Sequence, residues 1–110
     1  MLKYEKGIMS MSEGDYGLPL PITITGAEIF TTDKIDFFIK KSEEVIVKKT
    51  FTNIENNTFD FVLSKENSDK LSVGEYTFGI DWYREDIFMN NIKKNETFIV
   101  EDKWYIWIWI

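Results

Sequence analysis

Paired acidic side chains are the first groups in this sequence that could do chemistry. Three pairs stand close together along the chain: Glu13 with Asp15, Asp33 with Asp36, and Glu85 with Asp86. Glycoside hydrolysis needs two carboxylates that flank a cleft, one of them with a raised pKa. The three pairs lie in segments of turn composition, where acids are common because they hydrogen-bond locally. We therefore expect no catalytic residues and no enzymatic activity.

Histidine and cysteine do not occur in the chain. Without an imidazole or a thiol there can be no Ser–His–Asp or Cys–His scheme, no disulfide and no zinc–thiolate site. The calcium-loop pattern, with oxygen ligands at alternate positions, is also absent. The sequence thus predicts no metal and no cofactor.

The balance of charge is acidic, with a net charge of −6. Proteins that bind nucleic acid usually carry a basic patch or stripe. Three lysine pairs stand beside acids or in predicted turns, and we interpret them as solvated strand ends: Lys40-Lys41, Lys48-Lys49 and Lys93-Lys94. We expect no nucleic-acid partner.

The opening residues 1–7 contain no apolar run of the length of a signal peptide. No segment approaches the length of apolar sequence that a membrane span requires. The prediction is cytoplasmic synthesis without a signal peptide, and no membrane partner.

Alternation of apolar and polar residues predicts the elements that hold these side chains. Strands are expected at 8–11, 20–25, 34–40, 45–52, 57–63, 75–83 and 96–100. A short helix is expected from an N-cap at Ser64 to Leu71, as a crossover between sheets. Pro19 and Pro21 predict an edge strand. Asn56-Asn57 predicts a hairpin loop, and Asn90-Asn91 and Lys94-Asn95 predict breaks between strands.

This pattern predicts an all-β fold for residues 1–110 as a single domain. The expected architecture is an immunoglobulin-like antiparallel β-sandwich of about seven to eight strands with one short helical crossover. A small barrel is the alternative. Val45, Val47 and Phe51 are expected on one face of their strand. The predicted core is Ile22, Ile24, Ile35, Phe37, Ile39, Val47, Phe59, Phe61, Leu71, Tyr76, Phe78, Ile80 and Phe98.

Residues 103–110 are apolar at almost every position. In an extended conformation both faces would be apolar, unlike a half-buried strand. Three interpretations stay open: a last strand buried in the domain, a strand that pairs with a neighbouring chain in a homo-oligomer, or a ligand platform. The candidate interface residues are Trp104, Tyr105, Trp107 and Trp109.

Exposed aromatic residues allow a second function, a carbohydrate-binding β-sandwich module. Trp82 and Tyr83 are candidates together with residues 103–110. Trp82 shares a predicted face with Tyr76, Phe78 and Ile80, so it is expected in the core. Tyr83 is then expected to face outward.

The order of short motifs resembles a known family. The motifs are the opening 9–20 with Gly14-Asp15 and Gly17, a turn at Gly26, the strand 35–40, the segment 61–71 and the strand 73–83. This series is similar to the N-terminal immunoglobulin-like domain of phage baseplate upper proteins from Gram-positive hosts and to small prophage tail proteins. The resemblance covers about 8–102. It implies a structural protein that is assembled into a virion tail through contacts with other baseplate proteins, with no catalytic residues.

Overall fold

A computed structural model describes residues 1–102 of the chain. Eight strands and one helical turn follow one another. In chain order they are β1 Lys3–Glu5, β2 Ile8–Ser12, β3 Leu20–Thr23, β4 Lys34–Lys41, β5 Glu44–Phe51, β6 Thr58–Phe61, α1 Lys65–Ser68, β7 Gly74–Arg84 and β8 Ile87–Glu101.

The strands form two sheets, one of six strands in the order β1-β2-β8-β7-β4-β5 and one of two strands, β3-β6. The run β8-β7-β4-β5 opposite β3-β6 corresponds to strands G, F, C and C′ opposite B and E of a variable-type immunoglobulin sandwich. The predicted all-β sandwich is confirmed. The expectation of purely antiparallel pairing is wrong at one place, because β2 runs parallel to β8. These two strands come from opposite ends of the domain, so no tight turn forces them to be antiparallel.

Stacked phenylalanine rings fill the space between the sheets. Phe37 of β4 lies between Phe61 and Phe78, with ring centroids 4.0 and 5.3 Å away. The predicted core is buried, except that Ile22 is half-buried and packs against it. Val45 was expected to face inward and is half exposed. The register shifts beyond Ile39 at a bulge, and this shift turns Val45 to the opposite face.

Strand β8 continues through the two places where breaks were predicted. Asn90-Asn91 and Lys94-Asn95 lie inside it, so those predictions are wrong. Several register shifts occur between β7 and β8, and Asn95 has a φ of 53°. Asparagine tolerates a positive φ, so the polar pairs form irregularities within the strand and do not end it.

Asn56 and Asn57 both have a positive φ, as a tight turn requires. The turn is confirmed, but it does not form a hairpin between its neighbours, because β5 and β6 belong to different sheets. The Asn57 side chain donates to the carbonyls of Ile24 and Ala27 and accepts from the Ile29 N–H, at 2.6 to 3.1 Å. This side chain therefore holds the connection between β3 and β4.

The helical segment is shorter than expected, a single turn that connects the two sheets. The Ser64 hydroxyl accepts from the N–H of Asn67 at 3.1 Å, which confirms the predicted N-cap. Leu71 is buried, as expected, because a helix this short needs a residue that docks on the core.

Candidate interaction surface

The three acid pairs occupy separate parts of the fold. Asp15 accepts from the N–H of Ser12 in a turn. Asp36 lies inside β4 and not in a turn as expected; it is buried and accepts from the Thr50 hydroxyl at 2.7 Å. Glu85 and Asp86 form the two-residue turn between β7 and β8, with φ values of 53° and 63°. Asp15 and Asp36 thus have local hydrogen-bond partners, Glu85 and Asp86 form a turn, and the pairs do not meet in one cleft.

Asp33 is the most engaged of these acids, and it is fully buried. Its carboxylate accepts from Nε and Nη2 of Arg84, each at 3.0 Å, and from the indole N–H of Trp82 at 2.8 Å. It also accepts from the backbone N–H of Phe30 at 2.9 Å. Bidentate pairing with arginine is among the stronger charge-assisted contacts in proteins. This cluster ties the loop before β4 to the end of β7.

The protonation of the cluster follows from these contacts. Burial by itself would raise the pKa of Asp33, but the hydrogen bonds from Arg84, Phe30 and Trp82 outweigh it and lower the pKa. The hydrogen bond to Asp33 likewise raises the pKa of Arg84. Both groups are therefore charged near neutral pH.

Arg84 also contacts the connection between β3 and β4. Its guanidinium lies 3.5 Å from the centroid of the Phe30 ring, and Nη2 donates to the Glu28 carbonyl at 3.1 Å. Arginine stacks well on aromatic faces because its guanidinium is planar and weakly hydrated. Arg84, the last residue of β7, therefore holds the Phe30 ring beside the β7–β8 hairpin.

Four apolar side chains are exposed around this end of the molecule, with Ile87 on the Arg84 side of the hairpin and Phe88 on the Tyr83 side, and we call them the tip patch. They belong to the β3–β4 connection and the start of β8, and their exposed fractions are Phe30 43%, Ile87 65%, Phe88 50% and Met89 39%. Ile87 pairs with Arg84 across the hairpin, and Phe88 meets the Tyr83 ring edge-on at 5.7 Å. In variable-type sandwiches the corresponding B–C and F–G loops form the binding end.

The charged groups around the tip patch are mostly acidic. Glu28, Glu85 and Asp86 are exposed there. The nearby bases are engaged, since Arg84 pairs with Asp33 and the Lys34 amine lies over the Tyr83 ring. The surface is thus apolar with an acidic rim, and a matching surface would be apolar with a basic rim.

The remaining candidates from the sequence have clear positions. Trp82 is in the core and Tyr83 is half-buried on the outer face, as expected. Lys41 lies over the Tyr76 ring, and Lys48 lies 3.8 Å from Asp36, so these lysines contact their own domain. The candidate interface residues Trp104, Tyr105, Trp107 and Trp109 lie outside the described residues.

Sequence reasoning missed the exposed apolar surface formed by Phe30 and the start of β8, and it missed Arg84 beneath it. The signal that could have found them is the run Ile87-Phe88-Met89, which follows two acids and shows no alternation. Such a run at a hairpin end has no core to face.

Comparisons with known proteins identify no relative. No family model, curated protein or solved structure matches the chain significantly. Within residues 1–102, no helix is long and apolar enough to cross a membrane.

Proposed function

We propose that this protein is a structural component of a phage or prophage tail baseplate that acts through protein–protein contacts. The observation that carries the proposal is the tip patch, a set of exposed apolar side chains at the loop end of the sandwich. Large exposed apolar residues that cluster usually mark an interaction site, whereas single ones are common. The tail assignment itself depends on the resemblance of the motifs within 8–102.

The geometry beneath the tip patch suits a docking surface. The Asp33–Arg84 pair and the ring of Phe30 hold both connections before any partner arrives. A surface that is ordered in advance loses less conformational entropy on binding, which leaves more of the contact energy for affinity. A partner that encloses the end of the hairpin would bury both Ile87 and Phe88, which would supply the apolar part of such an interface.

The acidic rim indicates the chemistry of the partner. Glu28, Glu85 and Asp86 would face basic side chains around an apolar groove of another tail protein. Complementary charge of this kind mainly accelerates association and selects the partner. A second copy of the same surface would bring like charges together, so we expect a different protein at this site.

The first experiment asks whether the protein is part of a tail. Particles released by prophage induction, from a strain that carries the gene, are purified and their proteins are identified by mass spectrometry. The proposal expects this chain in the particles in a fixed ratio to the other tail proteins. Particles with complete tails that lack it would refute the tail assignment.

The second experiment tests the surface. The chain is co-expressed with each tail protein encoded beside it, and complexes are measured by gel filtration with light scattering. Ile87→Glu is expected to abolish the complex. Val45→Glu is the matched control, because Val45 has a similar exposure but lies on β5, away from the tip patch. Equal loss in both variants, or in neither, would contradict docking through the tip.

A further inference from the structure

A cleft of about 350 Å³ opens between the two sheets beside β3. It exists because the small sheet has two strands and cannot cover the six strands opposite. Apart from Lys93, its lining has no charged side chain, and its apolar members include Met9, Ile22, Ile24, Phe78 and Ile80. A cavity of ~150 Å³ is enough to bind benzene, so this cleft could hold about two ring-sized side chains.

The edge of β3 that borders the cleft has no strand partner among residues 1–102. The Ile24 N–H donates to the Asn57 carbonyl, so Ile22 and Ile24 turn their backbone groups toward β6. Residues alternate in an antiparallel ladder, and the N–H and C=O of Thr23 must therefore point to the free edge. Pro21 lies at the equivalent position and lacks a donor, which suits an edge.

An unpaired edge above an apolar cleft is the arrangement that accepts an added strand. Backbone hydrogen bonds to the edge supply affinity, and alternate side chains of the added strand enter the pockets. Here Thr23 would supply the backbone contacts, and the cleft floor would receive the side chains. The occupant must be extended, apolar at alternate positions and free of acids that would be buried without partners.

We propose that the cleft binds residues 103–110 of a second copy of this chain. That segment has no charge after Lys103, no proline and an apolar residue at every position from 104 to 110. Either alternate set of side chains is therefore apolar enough for the cleft, which has room for about two of them. The exchange is reciprocal, because each copy offers one segment and one cleft, and it generates a two-fold dimer. This inference does not depend on the proposal that the protein belongs to a phage tail.

The segment of the same copy has a less direct route. The Glu13 N–H donates to the Glu101 carbonyl at 2.8 Å, and the Gly17 N–H donates to the Leu63 carbonyl at 2.9 Å. The connection between β2 and β3 thus passes from one sheet to the other beside the end of β8. A segment that leaves β8 would have to go around this connection to reach its own cleft, and this detour favours the cleft of a second copy.

Cysteine cross-linking tests the contact directly, since the chain has no cysteine of its own. Thr23→Cys is combined in the full chain with a single cysteine substitution at each position from 104 to 109. Mild oxidation should give a covalent dimer at one or two neighbouring positions, because a disulfide requires Cα atoms within about 7 Å. The same scan with Val45→Cys is the control. Cross-links within one chain, or none at any position, would overturn the proposal.

The oligomer itself gives an independent test, by light scattering on the full chain. Wild type and Thr23→Val are expected at twice the 13.1 kDa monomer mass, because valine keeps the edge N–H. Thr23→Pro removes that N–H and is expected to be monomeric, with circular dichroism confirming that it is folded. A Thr23→Pro dimer, or a monomeric wild type at micromolar concentration, would refute strand exchange. Ile87→Glu should remain dimeric even if it loses a tail partner, which separates this inference from the proposed function.

Discussion

Removal of the Asp33 carboxylate is the sharpest test of how the tip patch is supported. Asp33→Ala leaves the buried indole N–H of Trp82 and the backbone N–H of Phe30 without their acceptor. Each buried donor that loses its partner costs about 1–3 kcal/mol. The Arg84 side chain is 27% exposed, so water can partly replace its hydrogen bonds to Asp33, and the loss of these bonds adds less to the cost. The expected total is about 3–5 kcal/mol, the range for breaking a buried ion pair by removing one partner.

The control is another acid in the same part of the chain. Asp36→Ala also removes a buried carboxylate, but this one has a single hydroxyl donor, Thr50, and an exposed lysine whose amine is 3.8 Å away. Its expected cost is about 1 kcal/mol. The two variants therefore differ in the number of partners and not in the type of side chain.

The assay is equilibrium urea unfolding at neutral pH. A loss of 4 kcal/mol at a slope of about 2 kcal/mol per molar lowers the midpoint by about 2 M. Asp36→Ala should move it by about 0.5 M on the same basis. If the two variants lose the same stability, or Asp33→Ala loses less than about 1.5 kcal/mol, the cluster does not hold the two connections together as argued.

Three further predictions concern the core, the turn and acid. Phe78→Ala should cost about 3–5 kcal/mol in a urea melt, because its ring is buried against Phe37, and a cost below about 1 kcal/mol would refute the core assignment. Asn57→Gly keeps the positive φ but loses three side-chain hydrogen bonds, so it should destabilise the protein by about 2 kcal/mol. It should also speed amide exchange at Ile29, and unchanged exchange would show that Asn57 does not hold the β3–β4 connection. The lowered pKa of Asp33 means that its stabilising effect is present above about pH 3.9 and is lost as the pH falls through the folded-state value. The urea midpoints of wild type and Asp33→Asn should converge as the pH falls below the folded-state pKa of Asp33. A difference that stays constant with pH would contradict the lowered pKa.

Much of the fold follows from local pattern. Alternation placed Ile35, Phe37 and Ile39 on the inner face, and turn chemistry placed Ser64 at a helix start. The errors in strand bounds and side-chain direction have one physical origin, which is the register with a partner strand. The bulge beyond Ile39 turned Val45 outward, and β7 carried β8 through its polar pairs. Neither register can be determined from residues within a single strand.

The interaction surface was less accessible to sequence reasoning. Asp33 and Arg84 are separated by 51 residues, and composition does not tell which of several acids a given arginine meets. The acids of the β7–β8 turn were recognised as turn residues, which is correct. The apolar character of the tip emerges only when Phe30, from another connection, is placed on Arg84.

The parallel pairing of β2 with β8 has a consequence for synthesis of the protein. Met9 and Phe98 are neighbours across this ladder although about ninety residues separate them, which gives the contact a high sequence separation. At translation rates of about 5–20 residues per second, some 5–20 s pass between the two strands. During that interval β2, with Met9 and Met11, has only the 3-residue strand β1 to pair with. The sheet is therefore expected to close only when β8 has emerged from the ribosome, so nascent chains that stop before β8 should be prone to aggregation and should depend on chaperones.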